Sequence, residues 1–228
     1  METELIWMKD SYVRSVEADI LEMNGREVLL SRTVLYPGGG GLVEDKGTVN
    51  SIPVTGYRKE GGKLWHVLEK EAENRKALVQ VEWERRYGIM KAHTAAHILA
   101  SVIYRKFGAL ISGNKVEPGQ FRMDFNVDDF DRGKFEEAVA EANELASRGK
   151  NVRVYEMPYN EAMKIEGVVK LLKGLEHLKI VRIVEIEGID IQADGGVHVA
   201  NTGEIGRMEI TKVENKGRAN RRVYIALK

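Results

Sequence analysis

A chain of 228 residues with 43% hydrophobic content can build its core as one large domain or two small ones. Its 35 basic and 35 acidic side chains cancel, so no overall field draws it to nucleic acid and any such binding needs a local patch. The lack of cysteine excludes disulfides and thiolate ligands, and without an apolar run of about 18 residues or a signal-like start the chain reads as soluble and cytoplasmic.

The texture of the sequence changes near residue 86. Before it, short apolar or β-branched runs (Val13–Met23, Glu27–Leu35, Gly47–Tyr57, Leu64–Leu68, Ala77–Trp83) alternate with Gly and charged turns, which predicts an antiparallel barrel or meander over 1–86. After it the pattern is α+β. Ile89, Met90, Leu99, Val102, Ile103 and Phe107 carry a helical period from Gly88 that stops at Gly108, a good residue for the position after a helix end. A second helix is expected from an N-cap at Asp128 through Phe135, Val139, Ala142 and Leu145 to Gly149. Then come a strand over Val152–Glu156, a short helix near Glu161–Leu172, and strands over Ile180–Glu187, Arg207–Glu214 and Arg221–Leu227. Sheet and helices in two layers are the expected architecture of 87–228.

Two segments carry chemistry. The first is His93-Thr94-Ala95-Ala96-His97, whose histidines at i and i+4 stand one above the other on a helix face, within reach of one ion. Far along the chain, His198 follows Asp194-Gly195-Gly196-Val197, where the glycines let backbone run close to a metal or substrate. The competing reading is a half-buried pair hydrogen-bonded to backbone. A zinc protease of the His-Glu-x-x-His type is excluded, because Thr94 stands where its glutamate base belongs. The second segment is Tyr36-Pro37-Gly38-Gly39-Gly40-Gly41, followed by Asp45 and Gly47. It is either a plain hairpin loop or a backbone-rich loop that approaches a ligand through Gly39, Gly40 and Gly41, and Leu42, Val43 and Glu44 exclude a Walker-type phosphate loop. Basic residues cluster at Lys212, Lys216, Arg218, Arg221 and Arg222, about a hairpin turn near Asn215–Ala219. They form a solvated edge or a phosphate contact, as do Arg85 and Arg86. Met23 and Met157 read as core filler.

Taken in order, Thr33-Val34-Leu35-Tyr36-Pro37-Gly38-Gly39-Gly40-Gly41, Trp83-Glu84-Arg85-Arg86-Tyr87, Met90, His93-Thr94-Ala95-Ala96-His97, Gly195-Gly196-Val197-His198 and Asn201-Thr202-Gly203-Glu204-Ile205-Gly206 resemble the free-standing alanyl-tRNA editing proteins, AlaX, and the editing region of alanyl-tRNA synthetase. The resemblance spans nearly the whole chain. It implies a translation-factor-like β-barrel with the Gly-rich loop over 1–86 and a zinc-containing editing domain over 87–228, similar to one in threonyl-tRNA synthetase. By position it implies one Zn2+ held by His93, His97, Asp194 and His198, with Asp194 standing where the family commonly has Cys. Val197 and Leu42 stand where Thr and Gln are frequent. The implied activity is hydrolysis of the ester linking serine, or glycine, to tRNA(Ala). Thr33 would read the substrate hydroxyl, the metal histidines would serve the chemistry, and Arg221 and Arg222 would contact tRNA. No acidic residue is tied to the motifs closely enough to be named general base. The alternative is a non-catalytic tRNA- or synthetase-binding member of the same fold, in which Asp194 and Leu42 mark decayed chemistry.

Overall fold

The computed structural model describes residues 3–127, 131–165, 178–217 and 220–228. The chain divides into two compact units, Met1–Gly39 with Val43–Tyr87, and Gly40–Leu42 with Gly88–Lys228. Both mix strands with helix, strands predominating, in keeping with the α+β expectation.

The first unit holds β1 (Glu4–Leu5), β2 (Ser15–Asn24), β3 (Glu27–Leu30), β4 (Arg32–Thr33), β5 (Gly47–Val49), β6 (Ile52–Glu60), β7 (Lys63–Leu68) and β8 (Lys76–Val81). Strands pair in the order β2-β3-β7-β6-β5-β8, and β8 returns to β2 with Val16 opposite Val79. Alternation along each strand turns Ala18, Ile20, Val28, Leu30, Val54 and Val79 into one shared core. The stretch Gly47–Tyr57, expected as one strand, is instead two. Asn50 and Ser51 take φ of 50° and 64°, two consecutive left-handed residues that fold Val49 back opposite Ile52. The run Glu27–Leu35 also breaks, after Leu30, and Arg32–Thr33 pairs in parallel with Glu4–Leu5.

The helix α1 (Trp83–Phe107) leads into the second unit, which continues with β9 (Leu110–Glu117), β10 (Gln120–Asn126), α2 (Arg132–Ser147), β11 (Val152–Pro158), α3 (Tyr159–Ala162), β12 (Ile180–Ile186), β13 (Asp190–Ala193), β14 (Met208–Asn215) and β15 (Asn220–Leu227). They make two antiparallel sheets, β14-β15-β10-β9 and β11-β12-β13. The hairpin β9–β10 was not expected from the sequence, because Ser112, Gly113 and Asn114 blur the alternation; Pro118-Gly119, with Gly119 at φ 71°, is its turn signal. The N-cap of α2 is Asp131, whose carboxylate accepts the Lys134 N–H at 3.0 Å. Asp128, the expected cap, lies outside the described residues, as does most of the helix expected over Glu161–Leu172, of which Tyr159–Ala162 is described. Among the described residues no helix is long and apolar enough to cross a membrane.

Candidate metal centre

Helix α1 is buried on nearly every side through its middle turns, and Ile89, Met90, Ala95, Ile98, Leu99 and Ile103 are all fully buried. It ends at Gly108, whose N–H bonds the Tyr104 carbonyl at 2.8 Å and whose φ is 65°. One strip of this buried helix is polar: His93, Thr94 and His97. The loop after β13 comes to meet it. Asp194 Oδ1 accepts the Gly196 N–H at 2.6 Å and so turns the chain, while the Arg182 guanidinium grips the Asp194 carbonyl at 2.6 Å. Gly196 then crosses the face of His93, where a Cβ would stand 2.6 Å from the imidazole Cε1 and 3.0 Å from the Leu42 side chain. Gly195 has open space, so only the second glycine is demanded by packing.

Beyond His198 the chain is clamped. Asn201 and Glu204 form a reciprocal capping box, Asn201 Nδ2 donates to the Gly149 carbonyl at 2.8 Å, and the Thr202 hydroxyl donates to Ala146 at 2.8 Å. The Asn201–Gly206 motif therefore fixes the backbone three residues after His198 against the end of α2.

The result is that one ligand-type atom from each of His93, His97, Asp194 and His198 lies within 4.8 Å of every other. The outer nitrogens fix the tautomers. His93 Nδ1 donates to the Val197 carbonyl at 3.2 Å, and His97 Nδ1 to the Asp190 carboxylate at 2.9 Å. The Thr94 hydroxyl donates to Met90, so it must accept from His198 Nδ1, 3.1 Å away. Each neutral ring thus presents its Nε2 lone pair inward. Yet His93 Nε2 and His97 Nε2 are 3.2 Å apart, and His198 Nε2 is 3.2 Å from Asp194 Oδ1. Asp194 Oδ2 completes the group at 3.7 Å and 3.9 Å from His93 and His97. Acceptors facing acceptors repel. A proton on His97 relieves one of these contacts; a divalent cation relieves all of them, and three nitrogens with a carboxylate oxygen form a donor set that suits one.

The electrostatics separate the four groups. Burial, reinforced by the neighbouring His198, holds the His93 imidazole well below the ordinary histidine value, and burial brings His198 down to about 4. For His97 burial is outweighed by the Asp190 hydrogen bond and by the charges of Asp190 and Asp194, and its value rises. Burial also works against the Asp194 carboxylate, but His93, His198 and His97 together hold it well below the usual range.

The other residues singled out in the sequence sit elsewhere. Thr33 is fully buried in the first unit, its hydroxyl 3.0 Å from His66 Nε2 and accepting the Leu35 N–H at 3.1 Å. Gly39 accepts from the Tyr36 hydroxyl at 3.0 Å. Gly40 and Gly41 dock on β9 through Asn114 and Val116, and Asn114 Oδ1 would be 1.9 Å from a Cβ on Gly41. Arg86, read from sequence as a phosphate contact, is fully buried and chelates Asp45, which corrects that expectation. Arg85 reaches the Glu44 carbonyl at 3.0 Å. In the basic hairpin, Lys212 and Lys216 both pair with Glu214, Arg222 clasps Asp124, and Arg221 bonds Asn215 and the Gly217 carbonyl. Asp190, Arg182 and the supporting role of Thr94 were not foreseen. Arg182 alone left a trace, a charged residue inside the apolar run Ile180–Ile186.

Comparison with known proteins places this geometry in context. Residues 181–224 match the family described as threonyl and alanyl tRNA synthetase second additional domain. A protein named alanyl-tRNA editing protein AlaX-M from Saccharolobus solfataricus is 43% identical over 99% of both chains, and one of the same name from Methanosarcina barkeri is 38% identical over the same shares. An alanine–tRNA ligase from Ignicoccus hospitalis is 31% identical over 91% of this chain, which covers 24% of that enzyme.

Proposed function

The chain belongs to the AlaX-M family of alanyl-tRNA editing proteins, and we propose that it is a trans-acting deacylase that hydrolyses the ester of serine, and of glycine, wrongly attached to tRNA(Ala). The observation that carries this reading is the convergence of His93, His97, Asp194 and His198, each histidine held from behind through its Nδ1. These four residues would hold one Zn2+. When bound, the ion supplies a Lewis acid for the ester carbonyl or for water.

The remaining work falls to the protein. The outer hydrogen bonds of the three histidines hold their Nε2 atoms in place before any ion arrives, so little reorganisation accompanies binding. Gly196 brings the loop close enough for Asp194 to join them. Thr33 is assigned to reading the serine hydroxyl, and Gly39, Gly40 and Gly41 to lining the approach with backbone. Arg221 and Arg222 are assigned to the tRNA backbone. The barrel unit over 1–86 and the editing unit over 87–228 divide these tasks.

The test is a deacylation assay on tRNA(Ala) charged with serine, glycine or alanine, before and after metal removal. Rapid loss of serine with alanine retained, abolished by chelation and restored by zinc, is expected. Equal rates for serine and alanine, or no turnover in the zinc-loaded protein, would leave a tRNA-binding protein without this activity, the reading that apolar Leu42 beside Gly196 favours.

A further inference from the structure

The three histidines of the centre do not have equivalent supports. Behind His93 is a backbone carbonyl and behind His198 a hydroxyl, both uncharged; behind His97 is a carboxylate. We propose that Asp190 is a positioning residue of the metal centre, fixing the tautomer and orientation of His97 and making it the strongest donor of the three.

The placement of Asp190 is over-determined. It opens β13, opposite Ile186, so the side chains at 190 and 192 share one face of that strand. The strand thus carries the carboxylate that orients a ligand, and the loop that leaves it at Asp194 carries the carboxylate offered as a ligand. Gln192 Nε2 donates to Asp190 Oδ1 at 3.1 Å and leaves Oδ2 for His97 at 2.9 Å. One turn along α1 from His97, the Ser101 hydroxyl donates to the Ile189 carbonyl at 2.7 Å and pins the start of β13 to the helix. Asp190 thus cannot withdraw from His97 without breaking a second bond to the same helix. Both side chains of the pair are about nine-tenths buried, at 8% and 10% exposure, where little water weakens the contact. A carboxylate drawing on the Nδ1 proton puts electron density on Nε2, the atom aimed at His93 and Asp194.

This inference rests on the metal-binding reading above, and the experiment separates the two. Zinc affinity is measured by competition with a chromogenic chelator, and the d–d absorption of the cobalt-loaded protein is recorded, for wild type, Asp190→Asn and Gln192→Ala. Asp190→Asn keeps the shape and is expected to weaken zinc about 10–100-fold and to shift the cobalt bands. Gln192→Ala removes only the bond to Asp190 Oδ1 and leaves Oδ2 on His97, so it is expected to weaken zinc less than Asp190→Asn does. Long-range proton–nitrogen spectra of zinc-loaded wild type need no variant, and there the His97 Nδ1 proton is expected furthest downfield of the three. Unchanged affinity in Asp190→Asn, or a His97 proton no further downfield than those of His93 and His198, would overturn the role of Asp190. Failure of wild type to bind zinc would overturn the underlying reading instead.

Discussion

Each of the two units buries a charged or polar constellation, and the two are built on opposite plans. In the first, Arg86 gives its guanidinium to both oxygens of Asp45 and to the carbonyls of Ser11 and Val34, and Asp45 also takes the Tyr36 N–H. Donors meet acceptors, and the network closes on itself. In the second, His93, His97 and His198 spend their protons outward and turn lone pairs toward one another and toward Asp194. Burial is deep in both, so burial does not distinguish structure from function here. The distinction is whether the polar atoms are satisfied among themselves or only by something added.

The comparison breaks most forcefully at Arg86. Replacing it with Met leaves Asp45 buried without its counter-charge, and about 3–5 kcal/mol of unfolding free energy should be lost while metal content per folded chain stays normal. Urea titration with metal analysis of the folded fraction checks both halves. A variant that unfolds like wild type would show that the closed network does not hold the first unit together.

Acid acts on buried histidines of both units, and the share of the first unit can be tested alone. Burial depresses His66, which contacts Thr33 in the first unit, to about 4. Its unfolded value is near 6.5, so the native state resists a proton that the unfolded chain accepts between those values. Stability should be complete above about pH 6.5 and fall by up to roughly 3 kcal/mol as pH drops through 4, on account of this residue. His66→Gln should flatten that slope in unfolding curves measured from pH 7 to 4. An unchanged slope would assign the acid sensitivity elsewhere.

Smaller effects refine the metal side of the comparison. Asp194→Ala removes the one anionic donor and should weaken zinc at least about tenfold, whereas Asp194→Cys supplies a thiolate and should retain it. Equal affinities in wild type and Asp194→Ala would reduce Asp194 to shaping the turn at Gly196. The smallest effect is expected at the basic hairpin, where Glu214 and Asp124 already neutralise much of the charge. Neutralising Arg221 and Arg222 together should flatten the salt dependence of tRNA binding by about 0.7–0.9 log unit of slope for each phosphate left without its arginine. Binding with the wild-type slope would make the hairpin a solvated edge.

What the sequence made legible was local. The spacing of His93 and His97 places them on one helix face wherever that helix lies, and the apolar period around them marked the helix end at Phe107 while missing its first turn, which starts at Trp83 and not Gly88. His198 was marked by the glycines before it, whereas Asp194 as a ligand was legible only through the resemblance, because its approach to α1 depends on how β12 and β13 pair. Asp190 was invisible for the same reason: an acidic residue in Gly188-Ile189-Asp190 has no marker until register sets it against His97. Arg86 was misread because neighbouring residues on a helix point about 100° apart, so Arg85 and Arg86 form a pair in the sequence and not in the fold. The partners of the basic hairpin, on β10 and within β14, follow from sheet register too.

The claim that the inward lone pairs of the second unit await a divalent ion is tested most directly by metal analysis of the purified protein beside its His93→Ala/His97→Ala variant, with circular dichroism to confirm folding. The account predicts about one zinc per chain in wild type and none in the folded double variant. Full zinc occupancy in that variant, or a folded wild type that takes up no divalent ion when zinc is supplied, would contradict it.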